Sequence, residues 1–165
     1  MCGIVGYIGE RDCTEVLLNS LSKLEYRGYD SAGVAIIEDE KISVRKLKGR
    51  LANLENDLNT NSINGHIGIG HTRWATHGEP SHPHTTENAT ISVVHNGIIE
   101  NYMKLREWLT SKGYEFLSET DTEVIPNLVD YYYRDGISLF DAVVKATSKL
   151  EGSFAIGVIA NNEPD

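Results

Sequence analysis

The chain opens on a short apolar run, residues 2–9 (CGIVGYIG), which ends in glycine and has the pattern of a buried strand. Asp12 then precedes Cys13, Thr14 and Glu15, an N-cap with an acidic residue at the third helical position. Leu17, Leu21 and Leu24 follow at i, i+4 and i+7 and give that helix one apolar face. Strands are predicted over 31–37 and 42–47. Residues 53–65 are rich in Asn and other polar side chains and are predicted as a loop with room for one helical turn. Two further strands, 67–74 and 91–95, flank a loop over 76–88 that is dense in Gly, Pro and His. Helices are predicted next. One spans 101–112, with Leu105, Trp108 and Leu109 on one side and Gly113 as its stop. Another spans 122–133, with Val124, Ile125, Leu128, Val129 and Tyr132 at helical spacing; Pro126 is tolerable only near the first turn, so this helix starts close to Thr122. A third, 138–150, is capped by Ser138 with Asp141 three residues on. A final strand covers 153–160. Strand-rich and helix-rich stretches without strict βαβ alternation indicate a layered α+β domain.

Composition narrows the function classes. A length of 165 residues suits one domain, and 40% hydrophobic with 24% charged residues is an ordinary globular balance. The formal charge is −9, and the richest basic stretch, residues 45–50, reads as a solvated strand edge and loop. Phosphate backbones call for a basic face, so nucleic acid is not expected as a partner. No apolar run approaches the roughly 20 residues that span a bilayer, so no membrane association is expected. The N-terminal segment lacks the basic lead of a signal peptide, and two cysteines are too few for a disulfide scaffold, so the expected location is the cytoplasm. The chain stops just after a core-type strand, which raises the expectation that it is a truncated piece of a longer protein.

Cys2 carries the first chemical signal. Removal of Met1 would leave a free α-amine on the same residue as a thiol. The amine has an ordinary pKa of roughly 7.7–8.0 and the thiol about 8.5, so a base near working pH sits beside its nucleophile. On position alone, a cysteine packed at the start of a buried strand accounts for the residue equally simply. His95-Asn96-Gly97 looks like the end of a strand followed by a turn, and 98–101 like the start of a helix; Asn-Gly by itself is also a hairpin signal. Arg73 follows a strand and has the planar fork that suits a carboxylate, though a surface Arg is usually just solvated. Asp121, just ahead of a helix, is by itself an ordinary N-cap. His71, His77, His82 and His84 invite a metal check, but no Cys or Glu falls at ligand spacing, and no phosphate-binding glycine loop is present.

Five motifs in order change the weighing: Cys2-Gly3-Ile4-Val5-Gly6, residues 26–33 (YRGYDSAG), 71–78 (HTRWATHG), 95–97 (HNG) and 118–123 (SETDTE). The first resembles the opening of the class II glutamine amidotransferases, and the rest resemble the branch of that family that aminates fructose 6-phosphate. Amidophosphoribosyltransferase, a second branch sharing the chemistry, fits residues 26–30 and 73–77 less well. The resemblance implies a four-layer αββα sandwich of the N-terminal-nucleophile hydrolase type, which spacing alone does not show. It implies hydrolysis of L-glutamine to glutamate and ammonia, with Cys2 as nucleophile and Asn96 and Gly97 as the oxyanion hole. Arg73 is then implied to hold the substrate α-carboxylate and Asp121 its α-ammonium, with Trp74, Thr76 and His77 shaping the pocket. Arg27 and Gly28 are implied to support the N-terminal segment. No cofactor and no metal are needed for such chemistry. The family pattern has a few more residues between Ser81 and His82, so the loop over the site is expected to be shortened here. The implied partner is a sugar-isomerase domain of the same protein, absent from residues 1–165, and the full-length protein is expected to be a homo-oligomer. Cys13 is expected to have no catalytic part.

Overall fold

The structure is a computed structural model and describes residues 2–74 and 82–164. Seven strands are described: β1 (Gly3–Ile8), β2 (Ser31–Glu38), β3 (Lys41–Lys48), β4 (Ile67–Arg73), β5 (His84–Thr85), β6 (Ile91–Ile99) and β7 (Gly152–Ala160). Five α-helices accompany them: α1 (Cys13–Leu24), α2 (Leu51–Thr60), α3 (Tyr102–Ser111), α4 (Val124–Tyr133) and α5 (Leu139–Thr147). Two single 3-10 turns, Glu25–Arg27 and Asp121–Glu123, lead into β2 and α4.

The strands form two antiparallel sheets, ordered β1-β4-β2-β3 and β5-β6-β7. Side chains alternate across each strand, so each sheet has two faces to cover. In β2, Ala32, Val34 and Ile36 face α1 and α2 and join Leu17, Leu21, Leu54 and Leu58 in one core. Ala35 of the same strand faces the opposite way and packs with Ile69 of β4, Val94 of β6 and Ile159 of β7 between the sheets. On the far side of the second sheet, Ile91, Val93 and Ile99 pack against Leu109, Ile125, Leu128 and Ala142 of the last three helices. Helix, sheet, sheet, helix is therefore the layer order, the αββα sandwich expected from the motifs. Gly68 and Gly70 of β4 lie under α1, where an added Cβ would come 3.0 Å from Leu17 and Leu21 respectively, so the helix rests directly on the strand.

The helix ends obey the local signals. Asp12 accepts the Thr14 N–H at 2.8 Å, and Ser138 accepts the Asp141 N–H at 3.1 Å. Gly113 takes φ +93° just past α3, as a helix stop requires. Two expectations are corrected. Residues 53–65 are not chiefly loop: α2 occupies Leu51–Thr60, because Leu51, Leu54 and Leu58 bury one face on the sheet. Glu25 supplies the cap from outside the segment, accepting the Leu51 N–H at 3.2 Å, and tertiary packing overrides the weak propensity of the Asn-rich sequence. The strand expected over 91–95 continues to Ile99, paired with β7 throughout, so His95-Asn96-Gly97 is strand interior and α3 begins only at Tyr102.

Leu54 is fully buried under the first sheet, so Leu54→Ala is expected to cost about 2–5 kcal/mol of stability in a denaturant melt. A cost below about 0.5 kcal/mol would show that α2 is not docked there.

Candidate active site

The register of the first sheet brings the N-terminus to the end of β4. Gly3 lies opposite Thr72 and Ile4 opposite His71, so Cys2, one residue earlier, falls beside Arg73. On the other edge of β4, Ser31 lies opposite Arg73. Ile4, Ile69 and Val94 all point between the sheets. With a period of two, Cys2, Arg73 and Asn96 lie on those same inward faces. The two sheets are tied at this level by His71, whose Nε2 lies 2.9 Å from the His95 carbonyl oxygen. A carbonyl only accepts, so His71 Nε2 carries the proton. Stepping from Ile69 to His71 along β4 moves from Val94 to His95 along β6, so Arg73 and Asn96-Gly97 lie at one end of the sandwich. Cys2 and Asn96 are half-buried there and Gly97 is exposed, which leaves the end accessible from solvent.

Each member is fixed by its surroundings. Gly28 is closely covered: an added Cβ would lie 2.6–2.8 Å from the Arg73 and Trp74 backbone. Asp30 N–H donates to the Arg73 carbonyl at 3.1 Å, so the 26–33 motif clamps Arg73 and supports the N-terminal strand through β4. Arg27 closes the 3-10 turn just before that clamp. Trp74 is 52% exposed, with Tyr29 tilted against it at 5.6 Å. Gly97 takes φ +135° within β6 and runs against the Ser153–Phe154 backbone, leaving no space for a side chain. Asp121 is not an N-cap: Thr120 holds that position, and Asp121 Oδ2 instead accepts the Ile99 N–H at 2.8 Å. Thr76 and His77 lie outside the described residues.

Sequence reasoning left several residues near the site without a role. His71, His82, His84 and His95 form a buried imidazole cluster at this end of the sandwich, with His71 and His82 stacked at 4.0 Å. Thr122 Oγ1 lies 2.8 Å from His95 Nδ1 and 3.0 Å from His82 Nε2, and Thr120 Oγ1 lies 3.1 Å from His84 Nε2. Glu123 is buried and its carboxylate accepts the N–H groups of Leu117 and Ser118 at 2.7 and 2.8 Å, which shapes the turn leading to Asp121. His71, His95, Thr122 and Glu123 all lie inside the recognised motifs, one or two residues from an assigned position; adjacency was their available signal. Burial pushes His71 and His84 down to about 3, and lowers His82 and His95 as well. Burial, with the Asp12 charge second, pushes the Cys13 thiol up to about 12, and it sits in the core as the first residue of α1. Among the described residues, no group of three or more His, Cys, Asp or Glu side chains is placed to hold a metal ion, and no helix is long and apolar enough to cross a membrane.

An N-terminal strand that begins after a cysteine and pairs with β4, an interior strand of an αββα sandwich, matches the N-terminal-nucleophile type of fold. Residues 71–165 match the glutamine amidotransferase domain family, and the chain belongs to that family. It is 68% identical over 169 aligned positions to glutamine–fructose-6-phosphate aminotransferase (isomerizing) of Clostridium acetobutylicum, covering 100% of this chain and 28% of that protein. The same enzyme of Staphylococcus aureus is 51% identical over 170 positions, again covering 100% of this chain and 28% of the relative. The structure of glutamine phosphoribosylpyrophosphate amidotransferase from B. subtilis, complexed with ADP and GMP, superposes with a TM-score of 0.82 at 25% identity, covering 98% of this chain and 35% of that one. The chain thus spans less than a third of the length of the two aminotransferases.

The buried imidazoles set an acid limit on stability. Their folded pKa values lie below the unfolded value of about 6.5, so the unfolded chain binds more protons between those limits. Their contribution is complete above pH 6.5 and falls as pH drops toward 3. Denaturant melts from pH 7.5 to 5 are expected to lose up to about 1.4 kcal/mol per pH unit for each titrating imidazole; a flat profile over that range would contradict the buried neutral cluster.

Proposed function

We propose that this domain hydrolyses L-glutamine to glutamate and ammonia with Cys2 as nucleophile. The observation that carries the reading is the register placing Cys2 beside Arg73, at the same end of the sandwich as Asn96 and Gly97. With Met1 removed, the Cys2 α-amine takes the thiol proton, directly or through one water, and the sulfur attacks the side-chain amide carbon. Asn96 Nδ2 and the Gly97 N–H donate to the developing oxyanion. The nitrogen leaves as ammonia after protonation by the ammonium just formed, and water cleaves the γ-glutamyl thioester to release glutamate and regenerate the thiol.

Recognition of a free amino acid requires one group for each charge. Arg73 offers a bidentate fork to the α-carboxylate, and Asp121, which spends Oδ2 on Ile99, turns its second oxygen to the α-ammonium. Trp74, Thr76 and His77 line the pocket in this reading, and Arg27 and Gly28 steady Arg73 from behind. The 68% identity to glutamine–fructose-6-phosphate aminotransferase, against 25% to the phosphoribosylpyrophosphate enzyme, favours fructose 6-phosphate as the ammonia acceptor. That acceptor would bind in a sugar-isomerase domain beyond residues 1–165, in a homo-oligomeric cytoplasmic enzyme.

Glutamate release measured on the protein with a mature Cys2 N-terminus tests the reading. Cys2→Ala is expected to abolish it, and Asn96→Ala to lower kcat about 10²–10³-fold with little change in KM. Retained hydrolysis in Cys2→Ala would overturn the nucleophile. Amination of phosphoribosyl pyrophosphate in place of fructose 6-phosphate would overturn the acceptor.

A further inference from the structure

Two consecutive residues of the 118–123 motif grip β6 on either side of Asn96-Gly97. Asp121 accepts the Ile99 N–H at 2.8 Å, and Thr122 Oγ1 lies 2.8 Å from His95 Nδ1. The same hydroxyl lies 3.0 Å from His82 Nε2. A hydroxyl has one proton, so it donates to one imidazole and accepts from the other. His95 Nε2 settles the direction, because it is buried with no hydrogen-bond partner among the described residues. Orphaned buried N–H groups are rarer than unused acceptor lone pairs, so the His95 proton sits on Nδ1. The chain of bonds then runs from His95 Nδ1–H to Thr122 Oγ1, and from the Thr122 O–H to His82 Nε2. His82 stacks at 4.0 Å on His71, whose Nε2–H donates to the His95 carbonyl. His95 is thereby held at both ends, by its ring through Thr122 and by its carbonyl through His71.

Between these anchors Gly97 and Ile98 are exposed, so their placement rests on pairing with β7 and on the fixed residues at 95 and 99. An oxyanion donor displaced by about 1 Å loses most of its effect, because the developing charge is satisfied only at hydrogen-bond distance. We propose that Thr122 is a positioning residue for glutamine hydrolysis, its hydroxyl locking His95 and His82 together so that the Asn96-Gly97 donors are held against the oxyanion. This rests on the glutaminase reading above. Thr122 touches no substrate in this role; it acts through His95.

Thr122→Val keeps the shape and removes the hydroxyl, while Thr122→Ser keeps the hydroxyl. Glutaminase kinetics are expected to show kcat down about 10- to 100-fold in Thr122→Val with KM changed less than about threefold, and near-parental values in Thr122→Ser. Imidazole ¹⁵N shifts supply a readout independent of turnover: His95 is expected as the Nδ1-protonated tautomer in the unmutated protein, and that signature is expected to be lost in Thr122→Val. Full kcat in a folded Thr122→Val, or an equal loss in Thr122→Ser, overturns the proposal. So does an Nε2-protonated His95 in the unmutated protein, a result that stands even where Thr122→Val fails to fold. An unmutated protein that releases no glutamate overturns the function itself, while the tautomer measurement still decides whether the Thr122 bridge exists.

Discussion

Strand β4 pairs along both edges at once, with β1 on one side and β2 on the other, and the site depends on that double pairing. A slip of one residue in the β1 register would turn Cys2 to the helix-covered face and carry it away from the inward side of Arg73. Slippage is opposed from both faces of the sheet. Val5 and Tyr7 of β1 pack toward α1, whereas Ile4 packs between the sheets, so a slip would bury the wrong set on each side. The glycines of β4 let α1 sit directly on the strand, and the clamp from Gly28 and Asp30 holds the strand end where Arg73 leaves the sheet.

The space between the sheets changes character along its length. Around Ala35, Ile69, Val94 and Ile159 it is apolar; toward the Cys2 end His71 takes the inward position on β4 and reaches the His95 carbonyl. Unpaired polar groups in such a place would be costly, and they are paired: His71 bonds the His95 carbonyl across the sheets, and Thr122, in the turn before α4, bridges His95 and His82. His95, next to Asn96-Gly97, is thus held by His71 and Thr122, and Ile99 on the far side by the Asp121 carboxylate.

The sequence made most of this architecture legible. Helix α1 was readable from its leucines and Asp12, and α5 from Ser138, because each carries both an apolar period and its own cap. Helix α2 was not, since its cap comes from Glu25, far away in the chain, and its Asn-rich surface hides three buried leucines. The extension of β6 through Asn96-Gly97 was hidden for a related reason: Asn-Gly is a turn signal locally, and only pairing with β7 holds it extended. The candidate site residues were proposed from motifs, not from physics, and the contacts that hold them were not visible in the sequence. Asp121 looked like a helix cap and is a strand anchor, and the Thr122–His95 bond forms only when the 118–123 segment packs on β6.

The central claim is that Cys2 is the nucleophile of a glutamine site at this end of the sandwich. Peptide mapping after reaction with an electrophilic glutamine analogue, a diazoketone in place of the side-chain amide, tests it most directly. The account predicts one adduct, on the sulfur of an N-terminal peptide that begins at Cys2, suppressed by excess glutamine. An adduct on Cys13, or labelling of Cys2 that glutamine does not suppress, would contradict it.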